Sequence, residues 1–309
     1  MAVGDKICND GLNLALSRLH GTTLSAVSVA QIGVGTTTPA ASDTTLGQKI
    51  PFTGDTVQLF DDSTDWTGSA DATAAANNTT TYKEMNDSTD DTSQSFGKSG
   101  SASATVTYSS DIVSDDMSNA NERFYVWFYI KDATALAKFE TTANGGIRIY
   151  ISDDNFTKAD YWNIGGSDSS VGWNLADVSV ASPDGTIGAG ADLSAIIDVR
   201  VQFIVTGAAV TLTSGDLIFD SWQMARVGTT DFNSTSFDAG PTYDTSLKTV
   251  ETQTKILTTE ANGFSISEVG LFNTESTPDM FSHHVFTGQS KTRTDEYRIT
   301  CKYVAEEGS

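Results

Sequence analysis

Seven consecutive apolar residues, Phe124-Tyr125-Val126-Trp127-Phe128-Tyr129-Ile130, constrain this chain more than any other feature. In an extended strand successive side chains point to opposite faces. Phe124, Val126, Phe128 and Ile130 therefore share one face, and Tyr125, Trp127 and Tyr129 the other. A strand that is apolar on both faces has to be covered on both, as in the middle of a sandwich. Two later segments alternate more simply. Ile197, Val199, Val201, Phe203 and Val205 stand against Asp198, Arg200 and Gln202, and Tyr297, Ile299, Cys301 and Tyr303 against Glu296, Arg298, Thr300 and Lys302. Both read as half-exposed strands. Gly, Asn, Asp and Ser separate such segments and no helical spacers intervene, so the expected fold class is all-β, built as sandwiches. One short N-terminal helix is expected, capped by Asn9 or Asp10, carrying Leu12, Ala15, Leu16 and Leu19 on one stripe and stopped by Gly21.

A length of 309 residues suggests about two domains at roughly 100–200 residues each. Against 18 basic residues stand 40 acidic ones, a formal charge of −22. Nucleic-acid binding rests on Lys and Arg neutralising phosphates, so it is not expected here. The same charge suits divalent cations. The opening Met1-Ala2-Val3-Gly4-Asp5-Lys6 leads into polar residues and not an apolar signal region, and no stretch reaches the ~20 apolar residues of a membrane span. The expectation is a chain that is made in a cytoplasm, stays soluble and inserts in no membrane. Two cysteines, Cys8 and Cys301, cannot build a disulfide framework; buried thiols are the plainer reading, pairing the alternative.

The two ends of the chain carry motifs. Ile32-Gly33-Val34-Gly35-Thr36-Thr37-Thr38-Pro39-Ala40-Ala41-Ser42-Asp43-Thr44-Thr45-Leu46 lies early; Ile266-Ser267-Glu268-Val269-Gly270-Leu271-Phe272-Asn273 and Met280-Phe281-Ser282-His283-His284-Val285-Phe286 lie late. Together they resemble the halves of a small β domain in structural proteins of tailed bacterial and archaeal viruses. The resemblance implies a discontinuous, virion-anchoring β domain over residues 1–57 and 228–309. It further implies a place on the virion surface (a head decoration or turret, or a tail-fibre or baseplate part) and contacts with other virion proteins and with copies of itself.

Residues 58–227 would then be an insert, and they carry a second resemblance. Phe60-Asp61-Asp62-Ser63-Thr64-Asp65-Trp66, Thr80-Thr81-Tyr82-Lys83-Glu84, Phe96-Gly97-Lys98-Ser99-Gly100, the aromatic strand, Tyr161-Trp162, Val171-Gly172-Trp173-Asn174 and Leu217-Ile218-Phe219-Asp220-Ser221-Trp222 follow one another in an order similar to jelly-roll carbohydrate-binding modules of the galactose-binding type. This resemblance implies a structural calcium held by Asp61 or Asp62, Glu84 and Asp220, against the alternative of solvated surface carboxylates. The chain departs from the family after Glu84, where Met85 and an acidic stretch stand in place of a Gly-Ser pair. It also implies a glycan platform, with Tyr161, Trp162 and Trp173 as rings and Asp160 and Asn163 as polar partners. The competing reading places these tryptophans in the core.

Catalysis needs a nucleophile–base pair, a carboxylate dyad or a metal cluster. Three histidines are present, His20, His283 and His284. The last two are adjacent on an expected strand, so their side chains point apart and share no metal. Catalytic and cofactor-binding motifs are missing, and Gly33-x-Gly35 lacks the third glycine of a dinucleotide loop. The expected function is a virion structural protein with no enzymatic activity. The alternative is a receptor-binding adhesin whose insert binds host surface glycan; a glycan-degrading enzyme is a distant third.

Overall fold

The computed structural model describes residues 4–13, 26–83, 92–141, 146–226, 235–244, 249–273 and 279–304. The chain divides into two compact units. One is drawn from both ends, within Met1–Gly54 and Arg226–Ser309; the other comprises Asp55–Lys83 and Thr89–Ala225. Both are all-β with antiparallel sheets.

The central unit is a sandwich. Its first sheet runs in the order Gly185–Ile187, Ala159–Gly165, Ile147–Ser152, Ile196–Ile204, Thr105–Asp115, Thr67–Gly68. The second runs Gly172–Ser179, Glu122–Ile130, Leu212–Arg226, Ser93–Lys98, Ala76–Asn78, with Asp55–Gln58 also paired to Leu212–Arg226. The period-two alternation explains the core. Phe124, Val126, Phe128 and Ile130 meet Ile147, Ile149 and Ile151 of the facing sheet. Phe60, Phe96 and Phe219 pack there too, with ring centroids 5.4–6.2 Å apart. Tyr125 and Trp127, on the outward face of the aromatic strand, are also buried, at 1% and 7% exposure. The two-sided burial expected of that strand is thus present.

The terminal unit pairs the two motifs directly. Its larger sheet has the order Gly4–Ile7, Met280–Ser290, Ser265–Asn273, Val27–Gly33, Thr235–Ser236, with Lys49–Ile50 beside Val27–Gly33. Gly33 lies opposite Glu268, and Ile32 opposite Val269. A smaller sheet joins Ala239–Asp244, Thr249–Ile256 and Tyr297–Val304. Cys8 and Cys301 are both buried thiols and do not form a disulfide.

Glu268 explains why the motifs read as they do. It is completely buried, and its carboxylate accepts the backbone N–H groups of Gly35 (3.0 Å), Gly47 (2.9 Å) and Gln48 (2.7 Å). His283 stands against it, Nε2 to Glu268 Oε2 at 3.0 Å, while Nδ1 reaches Asp43 Oδ2 at 2.8 Å. Glycine is required at 35 by close approach: a Cβ there would come within 2.6 Å of Glu268 Oε1. His284 turns the other way, to Ser282 and Tyr303, as adjacent strand residues must.

Two local expectations are corrected. Residues 9–13 are helical, but the first turn hangs from the Cys8 carbonyl, which accepts from the Leu12 N–H, and not from Asn9 or Asp10. Leu12 is half exposed and is no core residue; Ala15, Leu16, Leu19 and Gly21 lie outside the described residues. Ile197 is 39% exposed because the pairing of Ile196–Ile204 with Thr105–Asp115 shifts between Ile196 and Asp198, and Ile196 takes the buried place.

With a carboxylate at each ring nitrogen, the imidazolium form of His283 satisfies both neighbours. Burial pulls the His283 pKa down, but the bonds to Glu268 and Asp43 outweigh it and the net shift is upward from 6.5. Burial pushes Glu268 up, and its bonds to His283 and the three N–H groups more than reverse that. A raised histidine contributes stability that is complete below its unfolded pKa and lost as pH rises through the folded one; a lowered carboxylate does the opposite on the acid side. The melting temperature should therefore decline from about pH 6.5 upward, and His283→Gln should flatten that decline. Glu268→Ala, which orphans three N–H groups and a buried imidazole, should cost about 3–5 kcal/mol in a denaturant melt.

Candidate functional site

The outward face of the first sheet of the central unit carries a cluster of polar and aromatic side chains. Strand Ile147–Ser152 sends Ile147, Ile149 and Ile151 into the core, which leaves Arg148 and Tyr150 facing out. Its neighbours obey the same parity. Ala159–Gly165 buries Trp162 and presents Tyr161 and Asn163; Ile196–Ile204 buries Val199, Val201 and Phe203 and presents Arg200 and Gln202. Cross-strand register then assembles two rows. Tyr161, Tyr150, Arg200 and Ser109 form one, and Asn163, Arg148, Gln202 and Thr107 the next.

Contacts fix these side chains. The Tyr150 and Tyr161 rings lie 5.2 Å apart, and the Arg148 guanidinium carbon sits 5.1 Å above the Tyr161 ring. Arg148 Nε donates to Asn163 Oδ1 at 2.7 Å, and the Tyr150 hydroxyl donates to Gln202 Oε1. Arg200 Nε donates to Ser109 Oγ at 2.9 Å, with its guanidinium carbon 3.5 Å above the Phe156 ring. Burial raises the Tyr150 pKa and lowers that of Arg200. Tyr150 is nearly covered, whereas Tyr161 remains half exposed and forms the surface of the cluster. Gly185, on the edge strand beside it, has no Cβ; one there would collide with the Tyr161 hydroxyl.

Phe156 reaches its place through an unusual turn. Asn155 and Phe156 both lie in the left-handed region, at φ 56° and 63°, a conformation uncommon for residues other than glycine. The buried Ser152 hydroxyl holds the turn: it accepts from the Asp154 and Phe156 N–H groups and donates to the Lys158 carbonyl. The Asn155 N–H donates to Asp198, completing it at 2.8 Å. Backbone held in such regions gathers at ligand sites, where surrounding bonds over-determine it.

Next to the rows lies an open groove of about 750 Å³, lined by Thr64, Asp65, Thr67, Thr107, Ser109 and Asp111 among others. Asp198, paired across the strands with Asp111, borders it. Burial first, and then the Asp111 carboxyl, raises the Asp198 pKa, although the Asn155 N–H opposes this. The face thus offers one half-exposed ring, two guanidiniums, amides, hydroxyls and carboxyls. Such groups position hydroxyl-rich ligands by hydrogen bonds and apolar contact.

The platform residues expected from sequence do not stand together. Tyr161 and Asn163 are on this face. Trp162 is core at 1% exposure, edge-on to Phe124 at 5.1 Å, and its indole N–H donates to the Ser179 carbonyl. Its neighbour Asp160 is buried against the 190–191 loop, its carboxyl pKa raised by burial. Trp173 lies on the outward face of the other sheet, 5.4 Å from Tyr129 and 6.4 Å from Trp127, with the Lys83 ammonium 4.1 Å above the Trp127 ring and 5.6 Å above its own. Trp173 therefore shares no ligand surface with Tyr161. Arg148, Tyr150, Phe156, Arg200 and Gln202 were missed as site residues; the alternation of Ile147 to Ile151 was the signal that would have found the first two.

The calcium ligands fare differently. Asp62 caps the short helix Ser63–Asp65, accepting from Thr64 N–H and Oγ1 at 2.8 Å each. Asp61 is half-buried; its carbonyl accepts from Thr92 Oγ1 at 3.3 Å. Asp220 is buried and accepts the Lys83 N–H, and the charges of Asp220 and Lys83 interact. Glu84 lies outside the described residues. Among the described residues no three His, Cys, Asp or Glu side chains gather around a point that could hold a metal.

No family model and no curated protein matches the chain. Among solved structures it is similar to a family 11 carbohydrate-binding module from Clostridium thermocellum in complex with a β-1,3-1,4-mixed-linked tetrasaccharide, at 11% identity and TM-score 0.36, over 56% of this chain and 95% of that one. It is also similar to the CBM22-1 xylan-binding domain of Paenibacillus barcinonensis Xyn10C, at 12% identity and TM-score 0.28, over 56% of this chain and 96% of that one. A third is the glycoside hydrolase domain of Endo-D from Streptococcus pneumoniae R6, at 10% identity and TM-score 0.31, over 77% of this chain and 37% of that one. At such scores the likeness assigns no function.

The parity of the strand Ala159–Gly165 yields a sharp contrast between adjacent residues. Trp162→Ala removes a fully buried indole and should cost about 3–5 kcal/mol in a urea melt. Tyr161→Ala, on the outward side, should cost well under half as much.

Proposed function

We propose that the central unit is a glycan-binding module and that its binding surface is the outward face built on Tyr161, Arg148, Arg200 and the groove beside them. The observation that carries this reading is the convergence, on one sheet face, of a half-exposed tyrosine, two ring-stacked guanidiniums and a groove lined by hydroxyls and carboxyls. A sugar needs an apolar surface for its ring face and fixed polar groups for its hydroxyls, and three adjacent strands supply both. The chain then works by recognition and not by turnover. In this proposal the terminal unit docks the protein on a tailed-virus particle, beside other virion proteins and copies of itself, and the glycan belongs to the host surface. The Glu268 latch supports treating the two end motifs as one structural element, since each motif supplies groups the other needs.

Probing a broad glycan array with the chain displayed in many copies tests the reading, because avidity multiplies a weak single-site affinity. Binding should appear for a restricted set of oligosaccharides. Tyr161→Ala should weaken it about fivefold or more, the size of a lost stacking contribution of about 1–3 kcal/mol. Trp173→Ala, on the other face, should leave it unchanged. An array without signal, or sugar fragments released into solution, would overturn the proposal.

A further inference from the structure

Two arginines on the proposed face stand apart from the rest of the molecule electrostatically. The chain has 40 acidic residues against 18 basic ones, so an exposed guanidinium readily finds a carboxylate. Arg123 pairs with Asp177 and Arg298 with Asp238. Arg148 and Arg200 form no ion pair with a carboxylate among the described residues, although the charge of Asp198 reaches Arg200; their Nε atoms donate to the neutral acceptors Asn163 Oδ1 and Ser109 Oγ. Both are half-buried, and each is stacked on a ring, Tyr161 and Phe156 respectively. Register makes them diagonal neighbours, since Arg148 faces Gln202 and Arg200 faces Tyr150 on the adjoining strand. Such positions lie roughly 7–8 Å apart at Cα, close enough for both to reach one ligand group.

Holding two partly desolvated guanidiniums this close without an ion-paired carboxylate is unfavourable in the empty protein. The carboxyls of this face flank the two guanidiniums, and Asp198 lies two residues from Arg200 on its own strand. Asp198 and Asp111 border the groove that Asp65 also lines, and Asp184 accepts the Asn163 backbone N–H at the outer edge. The face is therefore cationic over Arg148 and Arg200, with carboxyls at its outer edge and along the groove.

From this polarity, and resting on the glycan-binding reading above, we infer that the ligand is an anionic glycan: a sugar bearing a carboxylate or a sulfate ester sits over Arg148 and Arg200, and its neutral neighbours lie along the groove of hydroxyls and carboxyls. Guanidinium groups present parallel N–H donors that match either oxyanion. The rings beneath hold both guanidiniums in place, so little side-chain freedom is lost on binding. Asp65 and Asp111 accept hydrogen bonds from sugar hydroxyls and repel an oxyanion, which sets the direction in which the chain lies.

Calorimetric titration of the whole protein with two anionic probes, each beside its neutral counterpart, tests the inference. Tetragalacturonate is compared with its carboxyl-reduced form, and a κ-carrageenan tetrasaccharide with its desulfated form. At least one anionic probe should bind about tenfold or more tightly than its neutral counterpart, and the preferred pair identifies carboxylate or sulfate as the recognised group. Its affinity should fall as salt rises, as interactions between exposed charges do. Arg148→Gln and Arg200→Gln should each erase most of the preference while the melting temperature stays near that of the unaltered chain. Equal binding of charged and neutral forms would overturn the anionic inference and leave glycan binding standing. Binding of none of the four probes, together with array signals confined to neutral glycans, would do the same. No signal on the array at all would remove both.

Discussion

The site depends on one constraint, the two-residue period of a strand buried on one face only. In Ile147–Ser152 three isoleucines enter the core, and that burial alone forces Arg148 and Tyr150 outward. The neighbouring strands obey the same rule, and because the core pins their register, the outward side chains meet in fixed rows. A slip of one residue in Ile147–Ser152 would bury Arg148 and expose its isoleucines, and one in Ala159–Gly165 would expose Trp162. The hydrophobic core and the proposed binding face are thus two sides of the same pattern, and the stability of one guarantees the geometry of the other.

The terminal unit solves a different problem with a different device. Its strands come from opposite ends of the sequence, so side chains and backbone more than two hundred positions apart have to find each other. A completely buried glutamate does this by taking three backbone N–H groups from the 35–48 loop and sharing a histidine with Asp43. A buried carboxylate is tolerable only when its lone pairs are met, and here they are. The glycine at 35, the glutamate at 268 and the histidine at 283 form a single interaction, which is why they read as two linked motifs.

Much of the fold was legible in the sequence. The all-β class, the two-sided aromatic strand and the divergence of His283 from His284 all follow from local alternation. The site was legible only in part. The sequence pattern points to Tyr161 and Asn163, but Trp162 between them belongs to the core, since adjacent residues of a strand cannot share a face. Trp173 matches the same aromatic pattern, and only the sheet order shows that it belongs to the opposite face. Arg148 and Arg200 are 52 positions apart, and no local pattern reveals that their strands are neighbours. The helix expectation failed at Leu12 because three or four apolar residues at helical spacing do not say which of them meets a core.

The most direct test of the account is a crystal structure of the chain bound to the oligosaccharide that binds it best. Sugar rings should lie over Tyr161, with hydroxyls running along the groove of Thr67, Ser109 and Asp111 and an acidic substituent against Arg148 and Arg200. A ligand seated on the face of Trp173 and Tyr129, or on the terminal unit, would contradict it.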